Sequence, residues 1–247
     1  MITDPKILGL AILGGVAPAL LWLWFWLKED NQKPEPKGLL TILFVIGMAL
    51  IIFVVPIQKF IQNNVNSYEW QIGLWATVEE LFKFLGVVVL LYKTNRIDEP
   101  IDWPIFLITV ALGFAAIENT LFLIKPLSLN QTTVGLLTGQ LRFLGSTLLH
   151  AVSTGTLGIA LALSFYTNKF FKGIYLLGGF SLAVALHSSF NFFIMKDSGD
   201  NSLSVLGLLW VVTIIIILLF EKIRRMSERQ ISFIKKKKYE KQKKKFF

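Results

Sequence analysis

Residues 70–92 read WQIGLWATVEELFKFLGVVVLLY, an apolar run of membrane-spanning length with Glu79, Glu80 and Lys83 near its centre. A bilayer core about 30 Å thick takes roughly 20 apolar residues per helix, so the run is long enough to cross. Its charges decide which way it faces. On insertion scales, two Glu and one Lys near mid-helix cost roughly 7–10 kcal/mol, while ten Leu, Ile, Phe and Val return only about 3–6 kcal/mol. The charged side must therefore be buried in protein. Glu79 and Lys83 are four residues apart and Glu80 and Lys83 three, so one ammonium can neutralise one carboxylate on the same helix. The other carboxylate is left for a second partner or for chemistry.

Outward from this run, six more of similar length lie near 7–27, 38–60, 103–124, 139–166, 171–195 and 202–220. The pattern predicts an all-α polytopic membrane protein of about seven transmembrane helices, with helices 3–6 forming a core bundle around a polar site. Residues 1–220 are read as one transmembrane domain with its core at 70–195, and 221–247 as a basic cytoplasmic tail. With 54% hydrophobic and 17% charged residues and a mean hydropathy of +0.61, the 247-residue chain is too apolar for an ordinary soluble domain. The first run is longer than a signal-peptide core and lacks a small-x-small site before Lys28, so it is read as retained. Of 25 Lys and Arg, 12 lie beyond Lys196, so the net charge of +9 belongs mostly to the tail. That placement suits anionic lipid and speaks against a nucleic-acid partner. No cysteine is present, which excludes disulfides and thiol nucleophiles.

Ionisable groups recur in other runs, where their cost marks them as functional candidates. The fourth run carries Phe114-x-x-x-Glu118-Asn119, the fifth His150 with Ser153 and Thr154, and the sixth His187-x-x-x-Asn191. Counted from the outer ends of their spans, Glu79 and Glu80 lie about ten residues deep, Glu118 six, His187 eight and His150 eleven. All five fall at similar depth. Small residues at Gly113, Ala115, Ala116, Gly155, Gly158, Gly178, Gly179, Ser181, Ala183 and Ala185 are expected to permit close helix approach around them. Peptide hydrolysis needs a base for water, donors toward an oxyanion and a pocket that admits water. A buried Glu beside His and Asn supplies these roles. A structural ion pair and interhelical hydrogen bonds would account for the same residues, His150 above all. A proton- or ion-coupled transporter also places Glu and His at mid-membrane, but neither two related halves nor broken helices at matching positions are visible.

The ordered set Glu79-Glu80-x-x-Lys83, Phe114-x-x-x-Glu118-Asn119, His150 and His187-x-x-x-Asn191 resembles the PrsW family of intramembrane proteases, relatives of the CAAX-prenyl proteases. The resemblance covers about residues 70–195. In the CAAX relatives the second motif ends in His where this chain has Glu118, which favours the PrsW branch. The resemblance implies that Glu79 activates a water, that Glu80 supports it, and that His187 and Asn191 stabilise the oxyanion or the water. It also implies a membrane-anchored protein substrate, with an anti-sigma factor as the favoured class. It leaves the cofactor open between none and zinc. Glu79, Glu118, His150 and His187 could hold Zn²⁺ with one open position, although the His-Glu-x-x-His spacing is absent.

Orientation follows from Lys and Arg. Placing the tail inside puts Lys28, Lys33, Lys37, Lys93, Arg96, Lys169 and Lys172 with it, against Lys6, Lys59, Lys125, Arg142 and Lys196 outside. Arg142 is read as an interfacial anchor. A reporter fused after Phe247 is expected on the cytoplasmic side, and an extracytoplasmic signal would overturn both this orientation and the assignment of depth.

Overall fold

A computed structural model of the chain describes residues 4–28, 34–91, 94, 96–129, 145–196 and 202–243. These form seven helices: α1 (Pro5–Leu27), α2 (Lys37–Asn64), α3 (Tyr68–Leu91), α4 (Asp102–Ser128), α5 (Thr147–Leu163), α6 (Lys169–Lys196) and α7 (Ser202–Lys243). Five of them, α1, α2, α4, α6 and α7, are long and apolar enough to cross a membrane. The charges of α3 interrupt its apolar run, and the described part of α5 has 17 residues. The fold is all-helical as expected. Arg142 lies outside the described residues, as does most of the stretch from 127 to 138.

At the centre stands α4, buried along nearly its whole length from Ile105 to Ala116, with α1, α2 and α5 packed against it. Lipid is as apolar as Leu, so helices in a bilayer associate through close van der Waals fit, and small residues set how close. A Cβ on Gly47 of α2 would strike the Val110 carbonyl, and one on Gly113 of α4 would strike the Phe44 carbonyl. The two glycines thus bring α2 and α4 to backbone contact from both sides. Gly15 of α1 meets Ala116 and Thr120 of α4 in the same way, and Gly158 of α5 meets Pro104. Of the predicted small residues on α6, Gly179 packs on Ala160 and Ala183 is buried, whereas Gly178, Ser181 and Ala185 face outward. One face of α6 meets α3 and α5, and a helical period places those three residues on the other.

Trp75 and Trp210 have packing roles. The Trp75 indole donates to the Gln58 carbonyl at 3.0 Å, and Trp210 lies 6.0 Å from the Trp22 ring, joining α7 to α1. The last helix continues without a break from the apolar run into the basic segment. Glu221 pairs with Arg224 and Arg225 at 2.7 Å across one helical turn there, the spacing that supports an exposed helix.

Gly113→Val should cost about 1–3 kcal/mol by forcing α2 and α4 apart, read as a lowered unfolding midpoint in detergent. The same change at Gly178, which meets open space, should have little effect.

Candidate active site

The buried face of α3 carries Glu79, Glu80 and Lys83, which are 2%, 0% and 0% exposed. Helix geometry brings Lys83 back over Glu80, and its Nζ donates to Glu80 Oε1 at 2.8 Å. The same oxygen accepts from His187 Nδ1 of α6 at 2.8 Å, and Glu80 Oε2 accepts from Thr154 of α5 at 2.7 Å. Glu80 is therefore saturated by groups from three helices. Of the two carboxylates, it is the one that Lys83 neutralises.

From α4, Glu118 Oε2 lies 2.9 Å from His150 Nε2. A carboxylate accepts, so Nε2 carries the proton and Nδ1 is left with a lone pair. That lone pair accepts from Lys83 Nζ at 2.8 Å. His187 follows the same logic in reverse: Nδ1 donates to Glu80, leaving the lone pair on Nε2. The two imidazole rings meet edge to face with centroids 4.9 Å apart, and Phe114 covers both Lys83 and His150. Beside them Asn119 donates to Thr147 at 2.8 Å, and Ser146 donates to Asn119 Oδ1 at 3.3 Å.

Glu79 is different. Its Oε1 accepts from the Gln58 side chain of α2 at 2.8 Å, and its Oε2 is buried with no hydrogen-bond partner among the described residues. Around Oε2 stand Lys83 Nζ at 3.6 Å, His187 Nε2 at 3.6 Å and His150 Nδ1 at 3.8 Å. A carboxylate oxygen and two unprotonated ring nitrogens thus converge without closing on one another.

The structure brings together Glu79, Glu80, Lys83, Glu118, Asn119, His150 and His187, all of them singled out from the sequence. Asn191 stands one turn beyond His187, half-buried, and no hydrogen bond joins it to the cluster among the described residues. Gln58 is absent from the sequence candidates, and Thr154 figures there only as a neighbour of His150. A polar side chain two residues after Pro56 in an apolar run was the available signal for Gln58.

Ligand atoms of Glu79, His150 and His187 all lie within 4.8 Å of one another. One carboxylate and two imidazoles, leaving a fourth position open, is a set that zinc accepts. Each imidazole also donates its other N–H to a carboxylate, the outer support usual around metal-bound His. The orphaned Glu79 oxygen and this donor set fit a divalent metal. Glu118, the fourth sequence candidate, holds the far nitrogen of His150 and takes the outer role.

A family model described as PrsW family intramembrane metalloprotease matches residues 35–220, which adds α2 and the apolar first part of α7 to the segment that carries the motifs. The protease PrsW of Shouchella clausii is 28% identical over 211 residues, covering 82% of this chain and 93% of its own. That of Oceanobacillus iheyensis is 29% identical over 206 residues, covering 81% and 91%. The protease PrsW of Geobacillus kaustophilus is 31% identical over 116 residues, covering 46% and 52%. No solved structure matches the chain.

Removing Glu80 would leave Lys83 buried and without its closest partner. Glu80→Ala should therefore cost about 3–5 kcal/mol, measured by thermal unfolding in detergent, and Gln58→Leu, which breaks one partly buried hydrogen bond, should cost about 1 kcal/mol.

Proposed function

We propose, from the premise that this chain belongs to the PrsW family of intramembrane metalloproteases, that it cuts a membrane-anchored protein with a water activated by Glu79. The chain is a multi-pass membrane peptidase; the residues, the substrate class and the orientation are the proposal. The observation that carries it is the division of labour between neighbouring carboxylates. Glu80 has both oxygens hydrogen-bonded, while Glu79 has one oxygen held by Gln58 and the other free to take a proton.

In the hydrolysis, Glu79 Oε2 takes a proton from the attacking water and returns it to the leaving amine, the work of a general base and then acid. Gln58 fixes the other oxygen, so that Oε2 points toward the imidazoles. His187, whose Nδ1–H is given to Glu80, accepts from the water at Nε2, and Asn191 one turn beyond it on the same helix is the donor that the resemblance assigns to the oxyanion. Glu80 orients His187, Glu118 orients His150, and Lys83 offsets the negative charge that gathers among the carboxylates. Asn119 supports the α4–α5 contact beside His150. If a divalent metal were held by Glu79, His150 and His187, Glu79 Oε2 would be its ligand, and the metal would polarise the water or the scissile carbonyl in place of proton transfer to that oxygen.

The site lies within the helical bundle, so the scissile bond must reach it laterally or from the membrane surface. A helical peptide bond is shielded by its own hydrogen bonds and must unwind first. Segments with helix-breaking or juxtamembrane sequence are therefore preferred. With the N-terminus outside and the basic tail on anionic lipid inside, the site falls in the middle to outer half of the bilayer. The substrate that fits is a single-span protein cut on its extracytoplasmic side, an anti-sigma factor by resemblance, which places the chain at the start of a signalling cascade.

Reconstitution with a panel of single-span peptides, and mapping of the cuts by mass spectrometry, tests this reading. Cuts in the outer half are expected. Glu79→Gln should lower kcat by about 10²–10⁴-fold, and Gln58→Leu by about tenfold with KM nearly unchanged, the scale on which orienting partners act. Cutting confined to cytoplasmic ends, or a Glu79→Gln protein that keeps most of its rate, would overturn the assignment. Solute flux without cleavage would favour a transporter.

A further inference from the structure

Lys83 is fully buried, and its ammonium has a defined partner in every direction the structure describes. Nζ donates to Glu80 Oε1 at 2.8 Å and to His150 Nδ1 at 2.8 Å, stands 3.6 Å from Glu79 Oε2, and lies 4.7 Å from the centre of the Phe114 ring. An imidazole whose Nε2–H is committed to a carboxylate has one lone pair, on Nδ1. Glu118 makes that commitment in His150. The lone pair that a metal would need from His150 is therefore the one that Lys83 uses.

Charge pulls the other way. Among the described residues Glu79 and Glu80 share one ammonium, that of Lys83, so the pair is one positive charge short when both imidazoles are neutral. A cation beside Glu79 Oε2 offsets that charge, and the three atoms that converge there suit a divalent metal. The cluster thus attracts a divalent ion while one of its own side chains occupies a ligand that the ion requires.

We propose that Lys83 competes with a divalent metal for His150 Nδ1, so that the side chain is an internal cation that sets how tightly this site can hold metal. The inference rests on reading Glu79, His150 and His187 as the metal-holding set, and it goes beyond that reading by assigning Lys83 a role that opposes binding. A side chain that serves only to balance charge in a metal site would leave the ligand nitrogen free. This one does not. The same position also explains why the carboxylates of the cluster are met by protein groups, with Glu79 Oε2 the buried carboxylate oxygen left without a hydrogen bond among the described residues.

The test uses the full-length chain, purified in detergent and stripped with a chelator, then titrated with zinc against a chromophoric competitor, with bound zinc counted by elemental analysis. Lys83→Met should bind zinc at least tenfold more tightly than the unsubstituted chain. Lys83→Arg, which keeps a cation at the position, should show no such gain. His150→Ala introduced into Lys83→Met should erase the gain. If Lys83→Met leaves Glu80 too exposed to its own charge for the protein to fold, the pair Glu80→Gln with Lys83→Met removes both charges and is compared with Glu80→Gln alone. Unchanged or weaker zinc binding in Lys83→Met, an equal gain in Lys83→Arg, or a gain that survives loss of His150 would overturn the proposal. Absence of zinc binding in every variant would overturn it together with the metal-holding set, and would leave the proteolytic reading, measured separately through Glu79→Gln, untouched.

Discussion

A carboxylate taken out of water into a protein interior must have its lone pairs met, and the bundle is organised around one that does. Glu80 receives Lys83 from its own helix, Thr154 from α5 and His187 from α6. An unpaired charge here would be worth several kcal/mol of destabilisation, so these three helices have little choice of relative height or rotation. Lys83 passes the constraint to His150, and His150 passes it to Glu118 on α4. One satisfied carboxylate in this way holds four helices at a common level. Glu79 is the preceding residue in the chain, rotated about 100° around the helix. That rotation aims it at α2 and the imidazole edges, where one oxygen finds Gln58 and the other finds no hydrogen bond. Two identical side chains in sequence thus meet different partners, because the helix turns them toward different neighbouring helices.

The polar network sets level and rotation, and the glycines set distance. Gly47 and Gly113 bring α2 against α4 at their backbones, close enough that no side chain fits between. Further along α2, Gln58 reaches across to Glu79 on α3 while the Trp75 indole of α3 holds the Gln58 carbonyl. The apolar window of α4 is 72% buried, against 17% for α1 and for α6. The centre of the bundle is therefore rigidly enclosed, while α6, which carries His187, has one packed face and one free face. Under the proposed function, a helix with one unpacked side suits a substrate that arrives from the membrane.

Much of this was legible in the residues. The apolar runs, the charged triad on α3, and the common depth of Glu118, His150 and His187 all follow from counting along single helices. So do the small residues at 113, 155, 158 and 179, which the structure places at helix contacts. The match over residues 35–220 agrees with the family suggested by four motifs in order. Less followed for Asn191. Its spacing from His187 predicts a shared face, which it has, but four residues also separate the two by about 6 Å along the axis, enough to leave Asn191 outside the hydrogen-bonded group. The outward facing of Gly178, Ser181 and Ala185 was likewise invisible, because a small residue reads the same whether it meets a helix or lipid.

What the sequence by itself determined was everything that repeats along one helix: which stretches can cross, which residues share a face, that Lys83 can reach back to Glu80, and that the charged side cannot meet lipid. What only the tertiary structure decided was every partnership between helices. Gln58 against Glu79, Thr154 against Glu80, the proton on each imidazole, and Lys83 against His150 depend on the rotation and offset of one helix relative to another. The periodicity of a single helix carries no information about either quantity. Both are settled jointly by the close contacts at the glycines and by the requirement that no buried charge be left without partners.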